Sequence, residues 1–447
     1  MYTMKKILVI GAGRSTTYLL HYLAEKSEGY NWQITVADLD LKLAQNKCTN
    51  LRMVALKIDI QDDEILNQLV IKHDLIISML PAHLHLNVAK ACITHKVNMV
   101  TASYLSDEIK ALHYQAKEAG ITILNEIGVD PGLDHLSAME IIHGIQSQGG
   151  QIEAFESFTG GLIAPESDNN PWNYKFTWNP RNVVLAGQGG AVKFIQNGLY
   201  KFIPYHKLFR RTEIIEIDNF GKFEGYANRD SLKYRETYGL SDVKTMFRGT
   251  LRRPGFCRAW DQFIQLGVTD DDYILPDTLN MTHREFINTF LSYNVSDSVE
   301  IKLRNYLRIE QDDVNLWERL EWLGLFDNTV IGIENASPAR VLEHILKKKW
   351  TLKQTDKDMI VMWHKVNYRL DGCDHELHSS TVVIGEDDQK TAMAKTVGLP
   401  LAIGAKHLLT GEINEKGTIL PIKPEIYKPI LEELKEHGIF FNEKRVF

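Results

Sequence analysis

Chemistry first enters this sequence at Gly11, Ala12 and Gly13. A glycine at 11 permits a tight turn out of a strand, and one at 13 lets backbone approach a pyrophosphate. The phosphate charge is then met by the free amides and dipole of a following helix, here beginning with Arg14 and Ser15. The third glycine of the dinucleotide fingerprint is Thr16, so the motif takes its force from context. An apolar run precedes it, a helical pattern follows, and Asp38 lies 25 residues past Gly13. A carboxylate ending the second strand accepts hydrogen bonds from an adenosine ribose diol and repels a 2′-phosphate. That favours NAD and leaves NADP open. The same glycines would also suit an α/β turn that binds no phosphate. Further along, Thr101, Ala102, Ser103 and Tyr104 follow a strand pattern and so lie at its carboxyl end, where open α/β sheets bind ligands. Asp130, Pro131 and Gly132 read as a turn, with Asp134 capping a helix that starts near His135. No metal site is expected at His375 and His378, which lack HExxH spacing and fall in a predicted hairpin. Nor is one expected at His83 and His85, which begin a predicted helix.

The elements that must hold these residues follow from periodicity. Residues 6–10 form a short apolar run of the kind shown by a parallel strand buried on both faces. Residues 14–23 read as a helix and 32–38 as a second strand. Further strands are expected at 53–58, 75–78, 98–101 and 121–124, with helices at 39–47, 62–72, 84–96 and 107–119 between them. Strand alternating with helix at this spacing specifies a doubly wound parallel sheet of Rossmann type. Residues 151–235 and 350–395 look sheet-rich, with strands at 359–370 and 378–385 joined by a turn at 371–374. Helical patterns at 283–291, 299–307, 313–323 and 338–347 fill the stretch between.

At 447 residues the chain exceeds one ordinary core, so two or three domains are expected. It is 44% hydrophobic and 24% charged, as globular proteins are. Its 51 basic and 58 acidic residues, a formal charge of −7, argue against nucleic acid or anionic membrane as partner. No apolar run reaches the roughly 20 residues of a membrane helix. Residues 1–6 lead directly into a strand, leaving no room for a signal peptide. Cys48, Cys92, Cys257 and Cys373 are scattered, which indicates neither a disulfide framework nor a zinc ribbon. A cytoplasmic enzyme of a reducing compartment fits these bounds, and so does a binding protein.

Several longer runs narrow the reading: NEIGVDPGLDH at 125–135, TGGLIAPES at 159–167, YKFTWNPR at 174–181, YANRDS at 226–231 and RGTLR at 248–252, with SSTVV at 379–383 and GTILP at 417–421 near the end. Together they resemble the L-glutamate-forming saccharopine dehydrogenases, whose runs NEIGLDPGIDH and GGLPAPE…NPLGYKFSW are close to these. The resemblance spans nearly the whole chain. It implies a Rossmann domain of residues 1–130 with 391–447, a mixed-sheet substrate-binding and dimerisation domain of 131–254 with 347–390, and an all-helical insert at 255–346. It also implies hydride transfer from saccharopine to NAD or NADP, hydrolysis of the imine to L-glutamate and 2-aminoadipate 6-semialdehyde, and a homodimer. Gly11, Ala12, Gly13, Arg14, Ser15, Asp38, Asp59, Met79, Ala102, Ser103, Val129 and Asn179 match positions near the cofactor.

A substrate with three carboxylates calls for cations in fixed geometry, and arginine forks meet carboxylates bidentately. Of the eight arginines between 205 and 260, Arg229 and Arg252, the latter with Thr250 and Leu251, match the family's substrate positions. By the same resemblance Ser103, Tyr104 and Asp130 line the substrate site. Tyr104 and Asp130 are the expected proton handlers, Asp130 on condition that burial raises its pKa. Thr159 stands where the family often has cysteine, and its hydroxyl titrates too high to replace a cysteine acid or base. Two other readings share the scaffold: a carboxynorspermidine dehydrogenase-like imine reductase, and a nucleotide binder that has lost catalysis. Asp38 favours the oxidative, degradative direction, and a lysine–ketoglutarate reductase activity is expected on a separate chain.

Overall fold

A computed structural model describes residues 3–446; Met1, Tyr2 and Phe447, the outermost residues of the expected first domain, lie outside the described residues. Contacts group the chain into one unit of Met1–Ile152 with Tyr368–Phe447 and a second of Glu153–Asn367. Residues 131–152 and 368–390, assigned by sequence to the second domain, group with the first unit.

The first unit is built on strands β1 (Lys5–Ile10), β2 (Trp32–Asp38), β3 (Met53–Lys57), β4 (Leu75–Ser78), β5 (Asn98–Thr101) and β6 (Thr122–Leu124). With the later strand Gly417–Ile419 beyond β6, they run in the order β3, β2, β1, β4, β5, β6. Every pairing among them is parallel. This is a Rossmann-type doubly wound sheet, whose order reverses between β1 and β4, where such sheets bind ligands beyond the strands' carboxyl ends. Ile7, Leu8, Val9 and Ile10 are wholly buried, which explains why β1 reads as an unbroken apolar run. Burial of each such side chain contributes about 1.5–3 kcal/mol.

Helices α1 (Thr17–Tyr30), α2 (Leu41–Cys48), α3 (Asp63–Val70) and α4 (His85–His95) connect the strands. The helix read at 14–23 opens as a 3-10 turn, Arg14–Thr16, before α1. The helix read at 107–119 is two, α5 (Asp107–Ala111) and α6 (His113–Glu118), each of its own register across Leu112. Asp40, Asp62 and Ser106 cap α2, α3 and α5 by accepting from backbone N–H groups of the first turn. Helix α7 (Leu133–Ser147) follows the NEIGVDPGLDH run.

In the second unit Thr245–Arg252 pairs in parallel with Gln151–Ile163 and antiparallel with Gly221–Ala227, so Thr250 stands opposite Thr159 and Tyr226. Gly225 and Gly249 leave room for the Phe158 ring, which a Cβ at either would meet at 2.6 and 2.3 Å. Helices Phe256–Leu266, His283–Thr289, Val299–Leu307, Val314–Trp322 and Pro338–Trp350 occupy the stretch read as helical. Trp172, Trp260, Trp350, Phe256 and Phe263 form a fully or nearly fully buried aromatic core.

Candidate active site

The phosphate turn is shaped by contacts that differ from one glycine to the next. Gly11 has φ +102°, and a Cβ there would lie 2.7 Å from the Met79 carbonyl oxygen, so the fold itself demands glycine. The cause is the close passage of two strand ends: Gly11 N–H donates to Ala37 O, and Met79 N–H to Ile10 O, each at 2.8 Å. Gly13 has no such constraint, for a Cβ there would meet nothing within 4 Å. Packing does not require glycine at 13, and the bare backbone there suits the close approach of a pyrophosphate. No side chain caps the helical start at Gly13, which leaves the dipole end for an anion. Thr16 replaces the third glycine by folding inward, its hydroxyl donating to Gly13 O at 2.7 Å.

Asp38 is tied to this turn. Its Oδ2 accepts from Ala12 N–H at 2.7 Å and its Oδ1 from Asp40 N–H at 2.9 Å, so the carboxylate is fixed beside the turn. Glycine spacing, uncapped helix and fixed carboxylate together suit a dinucleotide. Asp59 is exposed just past β3, and Met79 lies just past β4. Ala102, whose Cβ would meet a Cβ at Gly128 at 2.8 Å, brings the run after β5 against the run holding Val129. Asn179 belongs to the second unit and caps the short helix Pro180–Val184, its Oδ1 accepting from Arg181 N–H at 3.0 Å.

Past β5, the half-buried Tyr104 hydroxyl donates to Asp130 Oδ1 at 3.1 Å. The two expected proton handlers therefore share a hydrogen bond. Glu126, not anticipated from sequence, holds the two runs together. It is buried, with φ +55°, and its N–H donates to Ser103 O at 3.1 Å. Its Oε1 accepts from Leu105 N–H at 2.9 Å, and its Oε2 pairs with His135 Nε2 at 2.7 Å. Tyr104 is thus gripped on both sides. Asp134 Oδ1 accepts from Gly132 N–H at 2.6 Å, where φ +144° and a Cβ–Gly128 N distance of 2.1 Å leave no place for a side chain.

His85, whose sequence spacing suits no metal, makes contacts that the sequence does not signal. Its Nε2 lies 2.7 Å from Ser103 Oγ and its Nδ1 2.8 Å from Ser78 Oγ. Burial, with a smaller push from His83, lowers its pKa to about 4, so the ring is neutral near pH 7. Only the 18-residue separation across β5 concealed the pairing with Ser103.

In the second unit Arg252 is buried over the rings of Tyr174, Phe256 and Tyr226, at 5.1, 5.3 and 5.8 Å. Its Nη1 donates to Leu251 O, while its Nε, the Tyr174 hydroxyl and the Thr159 hydroxyl are buried without a hydrogen-bond partner. Buried polar groups are ordinarily satisfied, so these three stand apart from the rest of the core. Thr250 is half-buried and Leu251 wholly buried. Arg229 is exposed at φ +49°, its carbonyl accepting from Lys193 N–H at 3.0 Å. His375 stacks on Tyr368 and His378 pairs with Glu376 at 2.8 Å. Among the described residues no three His, Cys, Asp or Glu side chains cluster to hold a metal ion. No described helix is long and apolar enough to cross a membrane.

Comparison with known proteins places this geometry in a family. Residues 7–124 match the family model described as saccharopine dehydrogenase NADP binding domain, and residues 128–439 the saccharopine dehydrogenase C-terminal domain. The chain is 38% identical to the mitochondrial alpha-aminoadipic semialdehyde synthase of Bos taurus, over 99% of this chain but 48% of that protein. It therefore spans about half the length of that relative. It is 32% identical to the saccharopine dehydrogenase (NADP+, L-glutamate-forming) of Saccharomyces cerevisiae, over 99% of both chains. The solved apo structure of the L-Glu-forming yeast enzyme superposes with a TM-score of 0.89 at 31% identity, covering 99% of this chain and 100% of that one. Homospermidine synthase of Legionella pneumophila, at 9% identity and a TM-score of 0.56, shares the fold alone. With two family models in series over the chain and a full-length relative above 30% identity, this protein belongs to the saccharopine dehydrogenase family.

Proposed function

We propose that the protein oxidises saccharopine with NAD to L-glutamate and 2-aminoadipate 6-semialdehyde, the same groups serving the reverse condensation. The observation that carries this reading is the Tyr104–Asp130 hydrogen bond at the carboxyl end of the sheet, in the unit that holds the phosphate turn. A bound nicotinamide ring supplies the hydride acceptor. Asp130 and Tyr104 handle the proton of the substrate nitrogen: as the tyrosine oxygen takes that proton, its own passes to Asp130 Oδ1. The same pair returns a proton as water adds to the imine and the carbinolamine collapses. Carboxylate recognition is assigned to Arg229, Thr250, Leu251 and Arg252. The unpartnered Nε of buried Arg252 supports that assignment. Thr159 holds a water or a substrate oxygen and takes no part as acid or base.

NAD is preferred on account of Asp38, whose carboxylate is fixed by Ala12 N–H where a 2′-phosphate would approach. The family model and the yeast relative are named for NADP, so Asp38 sets this chain's expectation apart from theirs. The tripartite domain division, a cytoplasmic location and a homodimer complete the proposal. Absorbance at 340 nm with saccharopine and NAD or NADP in parallel tests it. Faster reduction of NAD with glutamate appearing supports both substrate and cofactor. Faster reduction of NADP overturns the Asp38 argument, and no reduction of either overturns the substrate.

A further inference from the structure

The buried Ser78 hydroxyl, fully shielded at the end of β4, has His85 Nδ1 as its hydrogen-bond partner. A buried hydroxyl left with only an incoming donor would strand its proton. Ser78 therefore donates, Nδ1 accepts, and the ring proton resides on Nε2, since the bond at one imidazole nitrogen sets the state of the other. Nε2–H points at Ser103 Oγ, 2.7 Å away. Thr101 Oγ1 also approaches Nε2, but at 3.5 Å against 2.7 Å for Ser103 Oγ, so Ser103 is the partner of Nε2–H. Ser103 Oγ, once an acceptor from His85, has its own proton to give. The side chain is half-buried, so that proton faces what can reach it from outside.

We propose that His85 is a positioning residue which, held as the Nε2–H tautomer by Ser78, makes Ser103 an outward hydrogen-bond donor to a carboxylate or carboxamide oxygen of the bound ligands. This deepens the function proposed above and rests on it for the identity of those ligands. The relay gives polarity to a hydroxyl that could otherwise donate or accept. The ring, neutral near pH 7, does so without adding a charge to the site.

The test uses the full chain with His85→Ala, His85→Gln, Ser78→Ala and Ser103→Ala. The glutamine amide reaches the Nε2 position and can donate to Ser103 Oγ, so His85→Gln is expected within about threefold of the parent. Loss of a hydrogen bond to a charged group corresponds to a fall of roughly 10- to 100-fold in His85→Ala and Ser103→Ala. A rise in KM for saccharopine with NAD affinity intact assigns the oxygen to a substrate carboxylate. A weaker Kd for NAD in calorimetry assigns it to the carboxamide. 15N-resolved imidazole spectra, with His85 identified by its loss in His85→Gln, are expected to show protonated Nε2 and bare Nδ1, and Ser78→Ala to disturb that state. The proposal is overturned if His85 carries its proton on Nδ1, if His85→Gln is as impaired as His85→Ala, or if Ser103→Ala changes neither affinity. Should the parent protein fail to oxidise saccharopine, the proposed function falls, while the imidazole spectrum and NAD affinity still decide the relay.

Discussion

Replacing Glu126 tests whether one buried carboxylate sets the geometry of the catalytic pair. Glu126→Ala removes the acceptor for Leu105 N–H at 2.9 Å and the partner of His135 Nε2 at 2.7 Å. Hydrogen bonds to a charged group contribute about 1.5–3 kcal/mol each, so losing both costs about 3–6 kcal/mol. The side chain is only 5% exposed, so water offers little compensation. In a unit of this size 1 kcal/mol moves Tm by roughly 2–4 °C, which gives a fall on the order of 10 °C. Glu126→Gln keeps an acceptor for Leu105 and should lose less than half as much. Because Tyr104 lies between the two backbone positions that Glu126 grips, kcat/KM should drop at least about tenfold in Glu126→Ala even well below its Tm. Scanning calorimetry, hydrogen exchange at the Leu105 amide and turnover at 340 nm read the three effects. A Tm within about 2 °C of the parent, with Leu105 still protected, would refute the reasoning.

The remaining expectations concern single groups. Tyr104→Phe removes the hydroxyl that donates to Asp130 and should lower kcat by about 10²–10⁴ with little change in NAD affinity; an unaltered kcat would remove Tyr104 from proton transfer. Asp38→Asn keeps an acceptor for Ala12 N–H but removes the charge, so the ratio of NADP to NAD use should rise about tenfold or more, read as kcat/KM for each. Gly132→Ala puts a Cβ 2.1 Å from Gly128 N at φ +144° and should cost more than about 3 kcal/mol, measured by urea unfolding. His85 titrates near 4 folded against 6.5 unfolded, so the unfolded chain binds more protons between those values. Its contribution is fully present above 6.5 and is lost as pH falls toward 4. His85→Gln should flatten the fall in stability between pH 7 and 4.5 by up to about 3 kcal/mol, and an identical pH dependence in the two proteins would contradict the assigned environment.

Much of this organisation is legible in the residues. The run at 6–10 announces a strand buried on both faces because such strands cannot alternate, and β1 is wholly buried from Ile7 to Ile10. Asp38 could be placed at the end of β2 because strand length and the turn fix it together. What escaped the sequence depends on partners distant along the chain. Thr16 looks like a defect in a glycine motif until its hydroxyl is seen closing on Gly13 O. Glu126 lies inside a recognisable run, yet its grip on Leu105, 21 residues earlier, exists only once β5 and β6 are side by side. His85 sat in a pair of histidines whose spacing invited a metal question, and its actual partner stands on the next strand's end. Leu112 is an apolar residue in a helical pattern, and nothing local marks it as the break between α5 and α6.

The bond from Ala12 N–H to Asp38 has a consequence for how this protein could change over generations. The carboxylate that would discriminate between cofactors also fastens the loop that would hold either of them. A substitution that admitted a 2′-phosphate by deleting the acid and its acceptor oxygen together, as any apolar residue at 38 would, slackens the loop in the same stroke, so its first carriers would bind both nucleotides poorly. Descendants that switched preference would then need a second change nearby, one that restores an acceptor for the Ala12 amide. The donor is a backbone amide that any residue but proline supplies at position 12, so the compensating change falls on whichever neighbour can offer it an oxygen.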